Sequence, residues 1–186
     1  MKKRVAGVVA GVIALAFSLP SVTVAMPYVR GSVALASMGN DSNIAARSYD
    51  SGYGFTGAIG TDGGKYRVEL EMAHQKNGVK SAAADLSITS YMANYYFDLV
   101  VPVVAIKPYV SAGAGLGNVE NNDGLGGIST DRVFAWQIGA GAGFTVAPFV
   151  TLDLQYRHLG SSSPELGGQK YSIGSNNVTV GLRVGL

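Results

Sequence analysis

Apolar and polar side chains alternate one by one through most of this chain. Over residues 65–73, Tyr66, Val68, Leu70 and Met72 are apolar, whereas Lys65, Arg67, Glu69 and Glu71 are charged. Over 149–159, Val150, Leu152, Leu154 and Tyr156 share one side, and Thr151, Asp153, Gln155 and Arg157 the other. Phe134, Trp136, Ile138, Ala140, Ala142 and Phe144 alternate with Gln137, Gly139, Gly141 and Gly143 over 133–146. Over 178–186, Val178, Val180, Leu182, Val184 and Leu186 alternate with Thr179, Gly181, Arg183 and Gly185. A period of two sends successive side chains to opposite faces of an extended strand. Segments 29–36, 53–59 and 110–117 follow the same pattern with small residues on one face. Segment 87–97 is ambiguous in phase; its apolar face takes Tyr91, Ala93, Tyr95 and Phe97, with Asn94 opposite and a bulge allowed.

These segments predict eight strands. Each has about ten residues, the length with which a tilted strand crosses a bilayer. The connections 61–64 and 147–148 are tight, whereas 37–50, 75–84, 118–131 and 160–175 are longer and polar. Only 98–105 differs, as a medium-length apolar turn. Short turns at one end and long loops at the other are the pattern of an outer-membrane barrel. The expected fold is all-β, an eight-stranded antiparallel up-and-down transmembrane β-barrel in one domain over 26–186.

Residues 1–25 fall outside the pattern. Lys2, Lys3 and Arg4 precede an apolar stretch from Val5 to Leu19, Pro20 interrupts it, and Thr23-Val24-Ala25 supplies small residues. This is the layout of a cleaved secretory signal peptide, and the apolar stretch is shorter than the ~20 residues of a spanning helix. Removing it takes three basic residues and leaves 11 against 12 acidic ones, so the formal +2 of the whole chain belongs to the leader. A charge so balanced argues against a dedicated nucleic-acid binder, whose footprint is basic. With 47% hydrophobic and 14% charged residues the chain is not of a disordered class, and with no Cys it is neither a disulfide scaffold nor a thiolate metal site.

A soluble eight-stranded barrel packs its apolar face inward. Here the polar face carries Gly113, Gly115, Gly139, Gly141 and Gly143, which suit a crowded interior. The aromatic residues gather near strand ends: Tyr53, Phe55, Phe134, Trp136 and Tyr156 toward the outer end, and Tyr66, Tyr95, Phe97 and Phe144 toward the inner. Two such girdles mark the two interfaces of a membrane barrel. The lumen then receives Arg30, Lys65, Arg67, Glu69, Glu71, Asn94, Gln137, Asp153, Gln155, Arg157 and Arg183. Enclosed charges must be paired, so Glu69, Glu71 and Asp153 are expected to pair with Arg67, Arg157 and Arg183, forming a structural plug rather than a narrow polar channel.

Enzymatic motifs fail. Gly139-Ala140-Gly141-Ala142-Gly143-Phe144 lacks the last glycine of a dinucleotide loop and a following helix, and Gly63-Gly64-Lys65 lacks the other elements of a phosphate loop. His158 on the outward face invites comparison with lipid A deacylation, but Gly160 stands where a serine nucleophile is needed. No catalytic residue, metal or cofactor is assigned.

The stretches 91–98, 106–115, 134–141, 148–157 and 180–186, including Tyr95-Tyr96-Phe97-Asp98 and Lys107-Pro108-Tyr109-Val110, together resemble the opacity-type and OmpA-like eight-stranded outer-membrane surface proteins, the group of neisserial surface protein A. The resemblance implies a Gram-negative outer-membrane location, lipid and lipopolysaccharide around the barrel, and assistance from the barrel-assembly machinery. It also implies external loops that act as antigens or adhesins toward host surface molecules. Members of the group usually end in an aromatic residue; the sequence here ends in Leu186. The expected function is that of a non-enzymatic surface antigen or adhesin, with a small porin as the alternative.

Overall fold

Period-two patterning with β-branched and aromatic residues on one side favours strands that pair along their whole length. The structure is a computed structural model describing residues 25–38, 51–78, 85–99, 101, 106–122, 128–162, 165–166, 169–170 and 174–186. The signal-peptide assignment, except Ala25, and the central parts of the polar connections lie outside these residues.

The strands are β1 (Met26–Met38), β2 (Gly52–Asp62), β3 (Tyr66–Gly78), β4 (Asp85–Asp98), β5 (Ile106–Asn122), β6 (Ile128–Ala147), β7 (Val150–Ser161), the two-residue β8 (Glu165–Leu166) and β9 (Gln169–Lys170), and β10 (Gly174–Gly185). Eight of them close a barrel in the order β1-β10-β7-β6-β5-β4-β3-β2. Closure is made by β1 and β10, which pair antiparallel from Tyr28↔Gly185 to Met38↔Ser175. Closing the sheet leaves no edge unpaired, which is what allows a sheet to cross a membrane.

The faces are inverted relative to a water-soluble barrel. Leu70 is 57% exposed and Leu182 51%, whereas Arg67 and Glu69 are 0% exposed. Over the middle and tight-turn end of the barrel, apolar side chains therefore point outward and charged ones inward.

One end carries tight turns. Gly64, at φ 88°, takes its N–H to Asp62 Oδ1 at 2.8 Å, closing the β2–β3 turn in a conformation that glycine adopts without strain. At the β6–β7 turn Phe149 has φ 66°, and its carbonyl accepts the Gly185 N–H at 2.8 Å.

Four expectations are corrected. Lys65 is exposed in the β2–β3 turn and not in the lumen, because β3 begins one residue later, at Tyr66. Phe149 likewise belongs to a turn rather than to β7. β4 alternates without a bulge from Leu86 to Asp98; the register shift among the described residues lies in β6, between Thr145 and Ala147. Finally, β5 and β6 run well into the segment 118–131 that was read as loop, pairing as far as Asn122↔Ile128, whereas β6 and β7 stop pairing at Ala135↔Ser161.

Candidate functional site

Two surfaces are candidates for function: the lumen and the loop-bearing rim. In the lumen, β3 alternates Arg67, Glu69 and Glu71 inward, while β1, β7 and β10 supply Arg30, Asp153, Arg157 and Arg183, all buried. The pairing is specific. Arg30 Nη2 lies 3.0 Å from Glu69 Oε2 and 2.9 Å from Glu71 Oε2. Arg157 Nη1 meets Glu71 Oε1 at 2.8 Å. Arg183 reaches Asp153 at 3.3 Å and Asp62 at 3.2 Å. Arg67 was expected to pair with one of Glu69, Glu71 and Asp153; it instead donates from Nε and Nη2 to Asp98, at 2.9 and 2.8 Å. Among the described residues the buried charges are four arginines (30, 67, 157 and 183) and four acids (Glu69, Glu71, Asp98 and Asp153).

Reading the sequence missed three lumen tyrosines and Asp98. Tyr28, Tyr96 and Tyr109 are 3%, 1% and 1% exposed. Tyr28 and Tyr96 donate their hydroxyls to the two oxygens of Glu69, at 2.7 and 2.9 Å. The Arg67 guanidinium lies 4.5 Å from the Tyr96 ring centroid and 4.7 Å from that of Tyr109, so two rings cover it. The signal was parity: Tyr96 and Asp98 stand two and four residues beyond the inward Asn94, and Tyr28 two before Arg30. These tyrosines yield a graded prediction. Tyr96→Phe withdraws a donor from buried Glu69 and is expected to destabilise by about 1–3 kcal/mol. Tyr109→Phe removes a buried hydroxyl with no hydrogen-bond partner among the described residues and is expected to be close to neutral. Urea titration of the two variants in lipid vesicles measures the difference.

Toward the loop end the lumen fill changes character. Leu86, Ile88, Met92, Val119, Val133, Ala135 and Leu159 are buried there. Beside them Gln75 donates to Asn77 at 2.7 Å and to Ser175 at 3.0 Å. An eight-stranded barrel is just wide enough to be filled by its own side chains, and this lumen is filled by ion pairs and tyrosines below and by apolar and amide side chains above.

On the outside, Tyr53, Phe55, Phe134, Trp136 and Tyr156 are exposed on the loop-ward half, and Tyr66, Tyr95 and Phe97 near the tight turns, with Phe144 partly covered. Tyr66 stacks against Phe97 at 5.4 Å and Tyr95 at 5.7 Å. His158 is half-buried on this face, its Nδ1 2.8 Å from Asn176 Oδ1 and its ring 5.6 Å from Trp136. A Cβ placed on Gly160 would meet Trp136 ring carbons at 2.5 Å. Ser162 Oγ is already engaged by the Phe134 N–H at 3.1 Å, and Ser161, by alternation, points opposite to His158. Among the described residues His158 thus has an orienting partner in Asn176, and neither Ser161 nor Ser162 is placed as its nucleophile.

A family model described as "outer membrane protein beta-barrel domain" matches residues 5–184. The chain belongs to that family. It is an eight-stranded outer-membrane β-barrel protein of a Gram-negative bacterium. Outer membrane protein PagN of Salmonella typhimurium is 30% identical over 94 residues, covering 46% of this chain and 39% of that relative's length. The fold is similar to that of neisserial surface protein A (TM-score 0.69, 21% identity, 86% of this chain and 97% of that one). It is also similar to that of Ail, the attachment invasion locus protein of Yersinia pestis (TM-score 0.59, 15% identity, 87% and 99%).

Proposed function

We propose that the protein is a non-enzymatic surface antigen or adhesin that acts through its external loops while the barrel serves as a closed anchor. The observation that carries this reading is the composition of the lumen: four buried arginines against four buried acids, capped by apolar side chains. A selective pore needs a ring of one charge sign or an open constriction, and a balanced, paired set supplies neither. With the lumen filled, the parts left to meet other molecules are the connections at 39–50, 79–84, 123–127 and 163–173. The reading includes export by the leader 1–25, insertion with the barrel-assembly machinery, lipopolysaccharide around the outer leaflet, and host surface molecules at the loops.

Ail has been solved with the heparin analogue sucrose octasulfate. The four connections here hold Arg47, Lys80 and Lys170 against Asp41, Asp50, Asp123 and Glu165. That balance favours a neutral or mixed-charge ligand over a sulfated polymer, because polyanion binding is driven by an excess of cations. Replacing the four connections by short Gly-Ser turns is expected to abolish attachment to host cells or matrix while the barrel still folds; unchanged attachment rejects the adhesin reading. Planar-bilayer recording is expected to give no steady conductance, and a steady current would make the protein a small porin.

A further inference from the structure

The outward face of β2–β6 is not uniformly covered. A groove of about 640 Å³ runs across it, with Gly57, Ala93 and Ala114 at its base and Leu70, Leu116 and Phe134 among its walls. Arg30 and Glu71 back it from the lumen side. The space above Gly57 is open: an added Cβ there would meet nothing within 4 Å.

The strand register shows where the groove leads. Met72, Tyr91, Leu116 and Phe134 are successive cross-strand partners and form one outward row. The next row toward the loops is His74, Thr89, Asn118 and Arg132, with every member polar. His74 Nδ1 lies 3.0 Å from Thr89 Oγ1, and Arg132 Nε donates to Asn118 Oδ1 at 3.2 Å. The row beyond holds Lys76, paired with Asp85 at 2.9 Å, and the exposed Glu120. The groove starts near Ile59, close to the tight-turn end of β2, and reaches Phe134, where β6 leaves its last pair with β7. It therefore slants from the lower half of the barrel up to the loop rim and ends beneath a polar row containing an exposed guanidinium.

We propose that this groove binds one acyl chain of a phosphorylated outer-leaflet glycolipid, lipid A, with the head group held by Arg132 and Asn118. A second copy of the barrel is a poor occupant, because two convex walls meet along a line and leave a depression empty. A hydrocarbon chain matches the apolar lining of Ile59, Leu70, Leu116 and Phe134, and the membrane supplies it. Arg132, oriented by Asn118, offers its remaining N–H groups to a phosphate in the fork geometry that guanidinium favours. The inference rests on the outward orientation of the loops in the surface-display reading, which antibody labelling of those loops on intact cells tests separately.

The experiment is native mass spectrometry of the full barrel, folded in mild detergent, with lipid A, dephosphorylated lipid A or phosphatidylglycerol added. Wild-type protein is expected to keep one lipid A in about tenfold preference to phosphatidylglycerol. Ala114→Trp fills the groove and is expected to lose that preference. Ala93→Phe repeats the test from the neighbouring strand if the first variant does not fold. Arg132→Gln is expected to weaken retention of lipid A but not of its dephosphorylated form. Equal retention of phosphatidylglycerol, or lipid A retained undiminished by a folded groove-filling variant, overturns the proposal and leaves an unselective lipid coat only.

Discussion

Glu71→Leu is expected to destabilise the barrel by about 3–5 kcal/mol, the range for removing one partner of a buried ion pair. Glu71 is fully enclosed, and its carboxylate accepts from Arg30 at 2.9 Å, Arg157 at 2.8 Å and Gln137 at 3.4 Å. Leucine fills most of the same volume, so the loss is electrostatic: among the described residues Arg157 keeps no acid partner, and Arg30 keeps Glu69 alone. Combining Glu71→Leu with Arg157→Met removes one charge of each sign and is expected to restore part of the loss, since a matched apolar replacement of a buried pair is often neutral. The measurement is the urea midpoint of the folded form in lipid vesicles, read from the different gel mobilities of folded and unfolded chains. The result bears on function as well as stability. In a water-filled pore, solvent would screen Arg30 and Arg157 and the single substitution would have little effect. A large loss that the double variant partly recovers marks a dry plug.

How far the sequence reveals this arrangement depends on how different the two faces of each strand are. β3 and β7 oppose ionic and aliphatic residues, so their facing was legible, although β3 runs on to Gly78, into the segment 75–84 expected as loop. In β4 the contrast fails, because Leu86, Ile88 and Met92 face a lumen that is itself apolar near the loops, and an apolar residue on each side hides the phase. Tyr96 was hidden for a related reason. It lies between Tyr95 and Phe97, which do face outward, and a tyrosine suits either a membrane interface or a buried hydrogen bond. The upper parts of β5 and β6 were read as loop because they are polar. Beyond the membrane, however, a paired hairpin has no apolar face to keep, and backbone hydrogen bonding continues without the pattern. Asp98 and Lys65 show the limit at strand ends: one residue of uncertainty in where a strand stops decides whether a charge enters the lumen or the turn. The pairing of Arg67 with Asp98 rather than Glu69 follows from that boundary.

Leu154→Arg is expected to cost about 2–4 kcal/mol, the price of a cation at mid-depth on the lipid face, whereas arginine at Tyr53 near the loop end is expected to cost about 0–1. Leu154 is 47% exposed, lies near the middle of β7 and pairs with Val180 on one side and Ala142 on the other. Its exposed surface would be an anomaly in water, where a leucine flanked by Leu152 and Tyr156 would form an apolar patch. In hydrocarbon it needs no cover. Arginine at this depth must either stretch to an interface or draw water and head groups inward, and both oppose folding into the bilayer. At Tyr53 the head groups are within reach of the side chain, so the charge is solvated without distortion. Both positions face outward on paired strands, so depth is the main difference between the variants; Tyr53→Phe supplies the control for the Tyr53 hydroxyl and Tyr53→Ala for its ring contact with Phe55. Their urea midpoints in vesicles therefore separate membrane burial from any general intolerance of arginine. Equal effects at the two positions would place the outer wall in a uniform medium, contrary to a barrel whose exposed aliphatic belt is immersed in lipid.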